Sequence, residues 1–194
     1  MPKLASRRVV LQLAATAAAF AALPAHAADP AQLVQSTAQQ VIDIVKTRTG
    51  ADRQAAILGV LNASFDMPAM ARSALGTHWN TATEQERTRY LKAVAVAEAK
   101  AYSERFGQYG GQTLTIGKVT PRPNGATTVD SRLNQTSGQP IKLEWEVRND
   151  RITDVKVEGV SMVMTRRSDF NSYIQNNGGK VGPLVSELEA RAAR

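Results

Sequence analysis

The side chains able to do chemistry are few: the 194-residue chain has two histidines, His26 and His78, and no cysteine. Without cysteine, disulfide scaffolds, thiolate metal sites and Cys nucleophiles are excluded together. His26 falls in an N-terminal segment discussed below, so His78 alone serves the rest of the chain. A nucleophilic triad needs a base set between a nucleophile and an orienting group, and no Gly-x-Ser-x-Gly elbow accompanies His78. Zinc needs further ligands at helical or turn spacing. His78 has none, and beside Trp79 it reads as a structural residue of a loop. Glu84/Glu86 and Glu144/Glu146 are carboxylate pairs of the kind used in acid–base work, but the first sits where a helix begins and the second on the wet side of a strand. Asp130 and Asp154 are the best acid–base candidates if the chain is an enzyme of the kind that roofs a curved sheet with helices. Gly110-Gly111 and Gly178-Gly179 lack phosphate-loop spacing and read as helix ends. Arg166-Arg167 could meet a phosphate or form a solvated pair on a helix. The expectation is no catalytic residue, no metal and no cofactor.

The elements that would position these residues follow from capping and period. Asp29-Pro30 opens a helix, since Asp caps and Pro is tolerated at the first helical position. Val34, Thr37, Val41, Ile44 and Val45 recur at helical spacing up to Gly50. Short helices fit residues 52–63 and 68–75, the latter closed by Gly76. Thr83 followed by Glu86 is a capping box that opens the longest helix, which runs to about residue 106. The period then changes from 3.6 to 2, predicting strands over 112–120, 126–134, 140–148 and 151–158 with turn residues between them. In the third strand Ile141, Leu143, Trp145 and Val147 point one way, and Lys142, Glu144, Glu146 and Arg148 the other. Such a sheet is dry on one face only, and the preceding helices are the available cover. A helix from 161 to 177 and another from about 183 complete the chain. The predicted class is α+β, with helices on a curved four-stranded antiparallel sheet in one domain, 28–194.

Residues 1–27 have the form of an export signal: Lys3, Arg7 and Arg8, an apolar stretch over 9–23, a break at Pro24 and the small-x-small pattern Ala25-His26-Ala27. The apolar stretch is about 15 residues, short of the ~20 that span a bilayer, so the mature chain is expected to be soluble and periplasmic. Ser6-Arg7-Arg8 also resembles a twin-arginine signal, with the general secretory route preferred. Loss of three cations and no anion lowers the formal charge of +7 to +4. The remaining Lys and Arg are scattered rather than interleaved with aromatics, which argues against nucleic acid as a partner.

Three stretches carry a resemblance. Phe65-Asp66-Met67-Pro68-x-Met70-Ala71 with Gly76-x-x-Trp79, the helix start over 83–91, and Val157-Glu158-Gly159-Val160-Ser161 leading into Arg167-Ser168-Asp169-Phe170 together resemble the MlaC family of periplasmic phospholipid-binding proteins, also known as toluene-tolerance auxiliary components. The resemblance covers essentially the whole mature chain. It implies a carrier that moves glycerophospholipid between an outer-membrane lipoprotein complex and an inner-membrane ABC transporter with an MCE-domain subunit. Related members serve hopanoid-type lipids. The implied fold holds acyl chains in an internal apolar cavity between helices and sheet. On that expectation the lining comes from Leu114, Ile116, Val129, Leu143, Trp145, Val147, Val155 and Val157 of the sheet and from Val94, Tyr102, Phe106, Val163 and Met164 of the helices, with Arg166 or Arg167 near a headgroup. Each lining position could equally be ordinary core, and a ligand-free adaptor with a filled core is the other alternative.

Overall fold

A computed structural model describes residues 29–193. The expected signal segment and its cleavage point lie outside the described residues. Helix α1 (Pro30–Thr47) starts as its sequence dictates, with the Asp29 carboxylate accepting from the Ala31 amide at 3.0 Å. It ends at Thr47, short of Gly50, because Arg48 is extended; Gly50, at φ +54, instead opens α2 (Gly50–Ser64). Helix α3 (Met67–Leu75) is capped by Asp66, which accepts from the Ala69 amide at 3.1 Å. Gly76, at φ +61, then turns the chain straight into a four-residue helix, α4 (His78–Thr81). His78 is therefore helical, a correction to the loop expected there. Helix α5 (Glu84–Phe106) carries the full capping box: the Glu86 amide donates to the Thr83 hydroxyl at 3.2 Å and the Thr83 amide to the Glu86 carboxylate at 2.8 Å.

Strands β1 (Thr113–Pro121), β2 (Thr127–Asn134), β3 (Ile141–Arg148), β4 (Arg151–Val157) and β5 (Val160–Ser161) form one antiparallel sheet in chain order. There are five strands rather than four. Glu158 and Gly159 both take positive φ, 49° and 82°, so the chain reverses in two residues and Val157 pairs with Val160. Bulges interrupt the registers at Ile116/Val119 and at Glu146/Val147, and such insertions bend the strands that carry them. Helices α6 (Met162–Asn176) and α7 (Val181–Ala193) close the chain, α7 starting before Pro183 because a proline is tolerated in a first helical turn. Helices α3, α5, α6 and α7 form one packed bundle around Tyr90, Phe170, Ile174 and Val185. Helix α1 reaches the sheet, where Val34 packs with Val129, Val147 and Ile152. The fold is α+β, with seven helices among the described residues.

Candidate functional site

In an antiparallel sheet, residues directly opposite each other share a face. The register aligns Val129 with Trp145 and Val155, and Ser131 with Leu143 and Val157, and sets Ile116 opposite Ser131. One apolar face thus crosses every long strand. At one end it is sealed: Val129, Val147 and Ile152 are at most 4% exposed. Across the rest, Leu114, Ile116, Leu143, Trp145, Val155 and Val157 are only half-buried. The Trp145 indole N–H donates to the Ser131 hydroxyl at 2.8 Å, which satisfies its polar edge and leaves the ring free to line an apolar space.

A second apolar group stands on the helices. Ile57, Leu61 and Ala99 are buried, and Val41, Ile44, Met67, Tyr102 and Phe106 pack against them. Tyr102 and Phe106 stack at 5.6 Å with planes 20° apart. Phe65 touches both this group and the sheet group, and α1 supplies Leu33 and Val34 to one and Val41 and Ile44 to the other. Phe65 is held by an isolated bridge to Ile152, reinforced by the Asp66 amide donating to the Ile152 carbonyl at 2.9 Å. Phe65 and α1 are thus the joint between the two groups, and the half-buried sheet residues lie on one side of that joint.

Polar groups on the sheet and helices hold elements together. Asp154 accepts from the Ser161 hydroxyl at 2.5 Å and the Val163 amide at 3.2 Å, fastening β4 to the start of α6. Asp130 projects from the opposite face of the sheet, across from Glu144. Arg166 forms a two-pronged pair with Glu98 of α5 and also meets Asp169. Burial works against its charge, but the hydrogen bond and charge of Glu98 outweigh it, so its pKa is raised. The Tyr102 hydroxyl is also raised, first by burial and then by the Glu98 charge. Glu144 pairs with Lys156 at 3.4 Å, and Glu146 accepts from the Thr153 hydroxyl at 2.9 Å. His78 Nε2 lies 3.0 Å from Asn171 Oδ1, which ties α4 to α6. Among the described residues no group of three or more acidic or histidine side chains is placed to hold a metal.

The structure brings most of the expected lining together and separates the rest. Val94, 4% exposed, belongs to the helix bundle, because its stripe on α5 faces the bundle rather than the sheet. Met164 is 53% exposed on the outside of α6, and Val163 is buried at the start of that helix. Arg167 lies against Gly76, on the outer side of α3. Phe65, Met67 and Leu61 join Tyr102 and Phe106 in one apolar group and are not among the expected lining; Phe65 and Met67 lie inside the first stretch that carries the resemblance, their only signal in the sequence.

An antiparallel sheet with helices packed on its sealed end, and the rest of its apolar face half-buried, defines an α+β fold. The sequence model described as MlaC protein matches residues 35–190. The chain belongs to the MlaC family. Its fold is similar to a solved phospholipid-binding protein from Ralstonia solanacearum, determined in complex with a phospholipid, with a TM-score of 0.69 and 19% sequence identity over 86% of this chain and 98% of that one.

Proposed function

We propose that this protein is a soluble periplasmic carrier that takes the acyl chains of a glycerophospholipid into the cleft between sheet and helices and moves the lipid between an outer-membrane lipoprotein complex and an inner-membrane ABC transporter with an MCE-domain subunit. The observation that carries the reading is the row of half-buried apolar side chains, Leu114, Ile116, Leu143, Trp145, Val155 and Val157, on a face that is sealed elsewhere. Family membership and the phospholipid bound by the Ralstonia protein support it. Two sixteen-carbon tails carry roughly 30 methylene-type groups; at ~0.8 kcal/mol each, exposing them to water costs on the order of 20 kcal/mol. A dry cleft removes that barrier, and no covalent step is required. Because membrane and cleft both bury the tails, exchange between them is close to balanced, and direction comes from partners that consume energy. Arg166 is a weak candidate for headgroup contact, since Glu98 and Asp169 already neutralise it.

Organic extraction of protein purified without added lipid, followed by mass spectrometry, tests the proposal. Phospholipid at near one molecule per chain is expected. A folded protein that neither carries lipid nor takes it up from vesicles overturns it.

A further inference from the structure

On the outer side of α3, α4 and α6 lies a groove that none of the cleft residues line. It consists of two adjoining hollows of about 260 and 470 Å³ that share Gly76, Thr77 and Arg167. Arg72 and Arg167 stand on its walls, no Asp or Glu lines it, and among the described residues neither arginine has an acidic partner. Each rests against a neighbour. A Cβ added to Gly76 would come within 2.7 Å of Arg167 Nε and 2.9 Å of its Nη2, so the guanidinium rests on a spot that only glycine leaves open. Arg72 sits over the Trp79 ring at 5.5 Å, and Arg87 lies 5.3 Å from the same ring centre. Arg87 is spent on Glu84 and on the Trp79 and Asn80 carbonyls. Met164, more than half exposed, forms the apolar part of the rim.

We propose that this groove is a docking surface for an acidic segment of a partner protein, which offers carboxylates to Arg72 and Arg167 and an apolar side chain to Met164. Charge complementarity selects an anion, because two guanidiniums without carboxylate neighbours favour paired, planar acceptors. The groove is open and shallow, which suits an extended segment laid along it between Arg72 and Arg167. Thioether flexibility lets Met164 adapt to the apolar residue it meets. The groove lies apart from the cleft, so this inference does not depend on the carrier reading.

The test is a titration of the isotope-labelled protein with a short synthetic peptide of Glu and Asp around one Leu, read by amide shifts and by the resolved indole N–H signal of Trp79. Saturable shifts at Gly76, Thr77, Ser168 and Asn171 are expected. R72Q/R167Q should weaken binding by about tenfold or more, as loss of charge complementarity does, while extractable lipid stays unchanged. Gly76→Ala should weaken it without altering charge; if that variant does not fold, the arginine variant still decides. Absence of saturable binding, or binding undiminished in R72Q/R167Q, overturns the proposal. So does displacement of the peptide by vesicles of phosphatidylglycerol and phosphatidylcholine, which would assign the groove to a membrane surface. Failure here with lipid still present leaves the carrier reading intact.

Discussion

In the helix bundle, Tyr90 and Ile174 are fully buried, the Tyr90 hydroxyl donates to the Ala71 carbonyl at 2.8 Å, and the Tyr90 ring meets Phe170 edge-on at 6.0 Å. At the sheet, Leu143 and Val157 are no less apolar, yet they keep contact with solvent. The bundle achieves closure with small residues: Ala71, Ala74, Ala93 and Ala97 let its helices approach until nothing is left between them. The sheet meets fewer and larger neighbours: Leu33, Val34 and Phe65 cover the Val129, Val147 and Ile152 end, while Tyr102 and Phe106 belong to the group on α2. The difference teaches that incomplete burial of apolar surface is local to the sheet. One part of the molecule is a closed frame, and the other is a surface kept uncovered.

Truncation should separate the two regions most sharply. Ile174→Ala is expected to cost about 2–5 kcal/mol in chemical denaturation, the usual range for emptying a packed core site. Leu143→Ala should cost about 1 kcal/mol, because only part of its surface is removed from water; equal costs at the two sites would break the comparison. Next in size is Glu98→Gln, expected to cost about 1–3 kcal/mol, since it leaves the part-buried Arg166 without its main acceptor. Thr83→Ala should cost about 1 kcal/mol by removing the cap of α5. The Glu86 carboxyl is held below the usual carboxylate range, first by the Thr83 amide hydrogen bond. Its contribution is therefore present above the ordinary carboxylate pKa and fades as pH falls through the lowered folded value. Glu86→Gln, which removes the titrating group, should flatten that acid limb in pH-dependent melting. The smallest shift in stability belongs to Val157→Phe, which adds volume where space exists; the denaturation midpoint should barely move while recovered lipid falls. A large destabilisation there would mean that the sheet side is as tightly filled as the bundle.

Much of this division could be read from the sequence where the signal is local. The capping box at Thr83, the Asp29-Pro30 helix start and the alternation along β3 each depend on residues a few positions apart, and all stand as expected. Signals that depend on distant partners were hidden. Helix α5 is apolar on two sides, and its period alone does not tell that Val94 faces α6 and α7 while Tyr102 faces α2. The Arg166 pair lies 68 residues away in the chain, so a basic doublet read in isolation looked available to a ligand when half of it was committed. Strand β5 is two residues long and has no period to detect.

Helix α5 spans 23 residues, about 34 Å at the usual rise. Its first half is clamped by the bundle through Tyr90, Ala93 and Val94, and its second half packs on α2, where Ala99 is buried with Ile57 and Leu61 and Tyr102 and Phe106 join them. One rod therefore belongs to two packing groups, fixed by α3, α6 and α7 at its start and by α2 at its end. Hydrogen exchange should accordingly find one continuous helix with two characters, its opening turns equally protected whether the protein is loaded or empty and its closing turns slower to exchange when cargo props them in place.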